Sequence, residues 1–341
     1  MQRGVVFSSL RGLPGSKCGP LRIPLPVRQR AHLGVQYRNV ASRASDSEEV
    51  DVGWLWSGTS AATPKILRRQ GIKPKRSLGQ NFVTDDGVLG KLVSAAGVVS
   101  GEPVLELGPG TGNLTKHLIQ AGAVVTAVEK DDTLQTKLVE EFGDDLHVIH
   151  GDIMKVDFVP VVEKMLEDHP DMTRVRVVAN LPYNITTDCL RRLLPMSDIF
   201  SHLCFMIQDE VAKRLCLRKP GGTQYRSMTI FTQYYSDPTY KMKISKGVYY
   251  PQPKVDGALV DFAIKTETER MDVGDDKTFI SMVNKSFAEK RKKISNSLTP
   301  MYPSDEVHSA LRECGLPETS RAEELTVENF VELYRCLAAN R

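Results

Sequence analysis

The sequence predicts an α/β fold: a Rossmann-like, mainly parallel sheet finished by an antiparallel strand pair, with a small α-helical domain appended. Three observations carry this. Short apolar runs alternate with helix-length segments between about residues 100 and 265, the mark of strand–helix–strand units. Four of those runs end in glycines or polar side chains, at Glu106–Gly112, Glu129, Asp152 and Asn180. Open sheets gather ligand contacts at the carboxyl ends of their strands, so one shared site is expected there. From about residue 267 only helical periodicity remains.

The elements follow in order. Residues 1–70 show no persistent period and carry no acid before Asp46, while Arg3, Arg11, Arg22, Arg28, Arg30, Arg38 and Arg43 are present. That is the composition of an organellar transit peptide followed by a linker, not of a folded domain. The sheet domain is expected over 71–266. Val104–Leu107 reads as its first buried strand, and Thr111–Ala121 as the helix after a glycine loop. Ala123–Val128, Leu146–Ile149 and Val175–Val178 continue the sheet, followed by a helix from Thr186 stopped by Pro195. His202–Ile207 reads as strand and Asp209–Leu217 as helix. Met228–Tyr235 and Ala258–Ile264 read as two further strands, whose short Gly/Pro-rich connection suggests the antiparallel pair that finishes the sheet. Helices are expected at Lys277–Ala288, Asp305–Cys314 and Val327–Ala339, forming a helical RNA-binding domain over 267–341.

The chemistry concentrates in Glu106-Leu-Gly-Pro-Gly-Thr-Gly-Asn-Leu-Thr115 and Asn180-Leu-Pro-Tyr183. A dinucleotide loop reads G-x-G-x-x-G. Here Gly108, Gly110 and Gly112 are followed by Asn113 where the last glycine would stand. The glycines are expected to let the backbone approach the amino-acid part of S-adenosylmethionine. Glu106 is placed to meet that cofactor's ammonium, Glu129 its ribose hydroxyls and Asp152 its adenine amine. Asn113, Leu114, Lys130, Ile153 and Asn180 are expected to join them in binding the cofactor. In the second motif Asn180 Oδ1 and the Leu181 carbonyl can accept both N–H bonds of an adenine N6 amine. Pro182 holds Leu181 extended, and Tyr183 can stack on the base. Both motifs together point to methyl transfer onto adenine N6.

The ordered set Ser77–Phe82, Glu106–Thr115, Gly151-Asp152, Asn180–Tyr183, Gln208–Leu215 and Pro251–Asp256 resembles the KsgA family of ribosomal RNA adenine dimethyltransferases, relatives of the Erm resistance methyltransferases. The resemblance covers roughly residues 72 to 341 and implies a class I methyltransferase sheet. It implies transfer of two methyl groups to each of two adjacent adenosines in a hairpin loop near the 3′ end of small-subunit rRNA. It places Gln80, Asn81 and Phe82 over the methionine end of the cofactor. The family's second aromatic wall, a Phe, falls on Tyr249, which keeps the stacking face and adds a hydroxyl needing a partner. Leu193–Phe200 and Ser320–Leu325 look most like the plastid branch, so a chloroplast address is expected, with a mitochondrion as the alternative. Some organellar relatives act as transcription or assembly factors, the competing role for this fold.

Composition sets limits. Residues 1–70 hold a net +7 and residues 71–341, with 34 basic and 38 acidic groups, a net −4. RNA contact must therefore come from local patches: Lys65, Arg68, Arg69, Lys73, Lys75 and Arg76; Lys213, Arg214, Arg218 and Lys219; Lys285 with Lys290–Lys293. No apolar run reaches the ~18 residues of a membrane span. The six cysteines, Cys18, Cys189, Cys204, Cys216, Cys314 and Cys336, form no C-x-x-C pair and read as reduced core thiols. His147 and His150 lack a third ligand at suitable spacing, so no metal is expected. The partners expected are rRNA and the small subunit, and the chain is expected to be a monomer.

Overall fold

The computed structural model describes residues 73–222, 224–289 and 292–339. The expected presequence and linker, with Cys18, Lys65, Arg68, Arg69, Lys290 and Arg291, lie outside the described residues.

A roof comes first. Strand β1 (Phe82–Val83) pairs antiparallel with β8 (Tyr249–Tyr250), Val83 opposite Tyr249. Helix α1 (Asp86–Ala95) follows, its first turn capped by Asp85, whose carboxylate accepts from the Val88 amide. The main sheet then runs through β2 (Pro103–Leu107), β3 (Val124–Glu129), β4 (Leu146–His150), β5 (Val175–Asn180) and β6 (Phe200–Gln208), all parallel, and closes with antiparallel β9 (Gly257–Ile264) and β7 (Ser236–Ile244). The strand order β4-β3-β2-β5-β6-β9-β7 reverses direction between β2 and β5. The crevice outside the carboxyl ends at such a switch point is where an open sheet binds its ligand. Every residue of β2 is buried, as expected of a strand covered on both faces. Helices α1, α2 (Asn113–Gln120) and α3 (Asp132–Phe142) share one buried cluster with the sheet, and α4 (Phe158–Leu166), α5 (Thr186–Leu193) and α6 (Asp209–Leu215) share the other.

The expected strand at Met228–Tyr235 is instead helix α7 (Ser227–Tyr235), seven of whose nine residues are buried. Its β-branched and aromatic composition favours a strand, but a helix buried all round needs no polar face and so shows no period. The antiparallel partner of β9 is the following segment, β7, which carries Pro238. An edge strand tolerates proline because one side of its backbone needs no ladder.

Beyond residue 267 come α8 (Asp276–Ser286), α9 (Ile294–Ser297), α10 (Ser304–Glu313) and α11 (Val327–Ala339). Tyr234 of α7 packs on Phe279 of α8, ring centroids 4.8 Å apart, and Phe287 stacks on Phe330 at 5.8 Å. The Tyr234 hydroxyl donates to Asp276 over 2.6 Å. The helices thereby share one buried cluster with the far side of the sheet. Of the five described cysteines only Cys189 and Cys204 are fully buried, which pushes both thiols up to about 12; Cys216, Cys314 and Cys336 are half-buried. No helix among the described residues is long and apolar enough to cross a membrane.

Candidate active site

A cleft of about 280 Å³ opens at the switch point. It is lined by the β2–α2 loop, the ends of β3 and β5, the β4–α4 turn, the β1 roof and Tyr249. The sequence-predicted Gln80, Asn81, Phe82, Glu106, Gly108, Gly110, Asn113, Leu114, Glu129, Lys130, Asp152, Ile153, Asn180, Leu181, Pro182, Tyr183 and Tyr249 all reach it.

Gly112 does not line the cleft. It caps α2 in the left-handed region, φ 78°, and a Cβ there would stand 2.6 Å from the Phe142 ring. Its glycine serves the packing of α3 and a left-handed turn, not close approach to a ligand. Gly110 is also left-handed, and a Cβ there would meet the Phe82 ring at 2.8 Å, so the roof closes directly on the loop. Gly108, left-handed as well with φ 67°, is the least crowded of the three: a Cβ there would make only an ordinary contact with Ile153 Cδ1 at 3.8 Å.

The three acids differ in environment. Glu106 is fully buried; Oε2 accepts from the Thr115 hydroxyl at 2.6 Å, while Oε1 has no partner among the described residues. Burial, only partly offset by Thr115, pushes its carboxyl up to about 8. Glu129 accepts from the Gly110, Lys130 and Asp131 amides at 3.0, 2.9 and 2.8 Å. It therefore ties the glycine loop to the end of β3, yet burial still outweighs those bonds and raises its pKa. Asp152 accepts from the Met154 amide and the Lys130 ammonium, both at 2.9 Å, and these hold its carboxyl low. Arg192 of α5 donates to the Ile153 and Val156 carbonyls, bracing this turn from behind.

The roof is stitched to the sheet ends by side-chain amides. Asn180 Nδ2 donates to the Asn81 carbonyl at 2.9 Å, which leaves Oδ1 as the amide's acceptor for a ligand. Asn113 Nδ2 donates to the Val83 carbonyl at 2.7 Å, so the residue in the third-glycine position anchors the roof. Gln80 bridges the Lys75 amide and Asp131 at 2.8 and 3.3 Å. Gly79, with φ 63°, brings the roof against Pro182 and Asn184.

Asp131 and Thr115 were missed at the level of sequence. Burial opposes ionisation of Asp131, but the Lys75 ammonium 2.8 Å away and Gln80 outweigh it and hold its carboxyl low. Asp131 also caps α3, and that local role was its only sequence signal. Other residues of the basic runs are likewise engaged: Lys213 with Asp209, Arg218 with Asp237 and Lys292 with Glu289.

Tyr249, and not Tyr250, faces the cleft; Tyr250 packs with Phe82 and Leu134. Adjacent strand residues point opposite ways, so only one can enter. The Tyr183 and Tyr249 hydroxyls converge at Gly257, buried and close enough to influence each other's ionisation, while neither makes a well-formed hydrogen bond to any other group among the described residues. Burial raises the pKa of both phenols.

A family model described as ribosomal RNA adenine dimethylase matches residues 71–339. The chloroplastic ribosomal RNA small subunit methyltransferase of Arabidopsis thaliana is 40% identical over 283 residues, 81% of this chain and 82% of that protein. Ribosomal RNA small subunit methyltransferase A of Chlamydia caviae is 36% identical over 79% of this chain and 93% of its own. The fold is shared with a dimethyladenosine transferase from Plasmodium falciparum, at a TM-score of 0.61 and 23% identity over 74% of this chain and 95% of that one. It is also shared with the 23S rRNA methyltransferase ErmE, at a TM-score of 0.58 and 23% identity over 75% and 99%.

Proposed function

The chain belongs to the ribosomal RNA adenine dimethylase family and is an rRNA adenine dimethyltransferase, and we propose that it dimethylates N6 of two adjacent adenosines in the 3′-terminal hairpin loop of an organellar small-subunit rRNA. The observation that carries the reading is Asn180, whose amide nitrogen is committed to the roof and whose oxygen remains to accept from an exocyclic amine. The lone pair of that amine is delocalised into the ring, so it is a poor nucleophile. Oδ1 and the Leu181 carbonyl, accepting its two N–H bonds, favour the tetrahedral amine that develops in the transition state. Tyr183 and Tyr249 supply aromatic faces for a base taken out of its stack. The proton leaves after the methyl arrives, so no side chain need act as base beforehand.

S-adenosylmethionine, when bound, supplies an electrophilic methyl on a sulfonium centre. The residues fit it. Glu106 Oε1 is a buried carboxylate oxygen without a partner, suited to an ammonium. Gly108 lines the cleft on the same loop with no side chain to block it, and Glu129 and Asp152 stand at the next two strand ends. The helices of 267–341 are assigned to RNA, and residues 1–70 to delivery into a chloroplast, in line with the chloroplastic relative.

Primer extension across the hairpin loop tests the whole reading. Dimethylation removes both N6 hydrogens and stops the polymerase. In cells lacking the chain the organellar stop should vanish; its persistence would overturn the substrate. Calorimetry on residues 71–341 tests the cofactor, with binding expected for S-adenosylmethionine and not for NAD.

A further inference from the structure

Gly257 opens β9 between two neighbours, opposite Gln208 of β6 and Ile244 of β7, and is buried. Glycine weakens a strand interior, having no side chain to pack and more backbone freedom to lose. Its backbone is not in the left-handed region, so conformation does not demand it. Space does. A Cβ at this position would stand 2.7 Å from the Tyr249 hydroxyl oxygen and 3.1 Å from that of Tyr183.

The Tyr249 phenol cannot move away freely. Tyr249 is 4% exposed and sits in a core cluster with Leu89, Ile244 and Leu259. Its backbone is fixed by the pairing with Val83 and by the preceding turn, whose Val248 carbonyl accepts from the Thr84 amide. With core behind and ladder alongside, a ring pushed at its hydroxyl end has the cleft as its remaining direction. Tyr183 stands on that side, half-buried and part of the cleft wall.

We propose that Gly257 is a positioning residue for methyl transfer. Its missing side chain is the socket for the two phenol oxygens, and it thereby fixes where both aromatic walls stand. Tyr249 and Gly257 form a matched pair: the hydroxyl of the one requires the absent Cβ of the other. This deepens the adenine reading of the cleft and rests on it.

The test is a double-mutant cycle on the full chain, read by methyl transfer to small-subunit rRNA and by S-adenosylmethionine binding. Gly257→Ala in the Tyr249 background should lower kcat by at least about tenfold, the scale of overpacking a well-packed site. Cofactor affinity should stay within about twofold and the melting transition should remain cooperative, because the crowded atoms belong to the base-binding walls. Added to Tyr249→Phe, the same Gly257→Ala change should cost several-fold less, since the oxygen 2.7 Å from the new Cβ is gone. An equal loss in both backgrounds would overturn the pairing. So would a loss of cofactor binding in parallel with kcat, which would mark Gly257 as a folding position only. An unmutated chain that binds S-adenosylmethionine but transfers no methyl to rRNA adenine would instead overturn the proposed function.

Discussion

The two halves of the cleft are built on opposite principles. The half at β2, β3 and β4 is acidic. Its carboxylates lie at three successive strand ends and are held by bonds from within 22 positions: Glu129 by amides of its own loop and the glycine loop, Asp152 by Met154 two residues on and by Lys130. The half at β5 and β8 is neutral and assembled from afar. Asn180 meets Asn81 across 99 positions, and Tyr249 meets Tyr183 over Gly257. An acidic half can be tuned by protons and a neutral half by shape, so substitutions in the two should separate cofactor binding from methyl transfer.

The largest expected effect lies in the neutral half. Asn180→Ala removes the acceptor for the developing ammonium, and losing one such group costs ~10²–10³ in rate. Cofactor affinity should change far less, because the roof keeps its ties through Gln80–Asp131 and Asn113–Val83. Single-turnover methylation and calorimetry on the same variant check this. A rate loss explained wholly by weaker cofactor binding would erase the division between the halves.

That division also marks what was legible in the sequence. The acidic half reads directly because each functional residue sits at the end of its own strand. Alternating strands and helices therefore gave both the parallel sheet and the positions of Glu106, Glu129 and Asp152. The family resemblance placed Gln80–Phe82 over the cofactor, but the strand pairing that builds this roof was hidden because β1 and β8 are two residues long and show no period. The part played by Asn113 in anchoring it depends on a partner 30 positions away. Gly112 looked like its two neighbours in the loop, and only the distant Phe142 distinguishes it. Helix α7 was misread for a different reason: its burial removes the polar face on which helical periodicity depends.

The next effect tests which tyrosine forms the wall. A base–aromatic stack is worth ~1–3 kcal/mol by alanine substitution. Tyr249→Ala should weaken rRNA methylation by that amount with cofactor binding retained. Tyr250→Ala, on the face turned to Phe82 and Leu134, should affect stability more than transfer. The reverse ranking would place the chain one residue out of register.

A third effect belongs to the acidic half. With its pKa pushed up to about 8, Glu106 is protonated at neutral pH and must lose that proton to receive an ammonium. Calorimetry in buffers of different ionisation enthalpy should show close to one proton released per cofactor at pH 7, and affinity should rise nearly tenfold from pH 6 to 7. Glu106→Gln should abolish both. The sign for the free chain is opposite. A carboxyl with a raised folded pKa contributes stability that is complete below about 4.5 and is lost as pH rises through about 8. The melting temperature of the cofactor-free chain should therefore fall over that window more than that of Glu106→Gln.

The smallest effect concerns Lys130, on the rim of the acidic half. Its ammonium lies 2.9 Å from Asp152 Oδ2, with about half of its side chain exposed. Exposed pairs of this kind are worth about 0–1 kcal/mol and weaken with salt. Asp152 Oδ1 already accepts the Met154 amide, so Lys130 engages the oxygen more open to an adenine amine. A carboxylate oxygen has two lone pairs, so lysine and ligand can share it, but the ammonium draws its charge away. Lys130→Ala should therefore raise S-adenosylmethionine affinity by a factor below about five, most at low salt and vanishing near 1 M. The turn itself should not shift, because Arg192 and the Met154 amide hold it independently. A fall in affinity would mean that Lys130 positions the carboxylate and does not compete for it, and the acidic half would then depend on its rim as the neutral half depends on its roof.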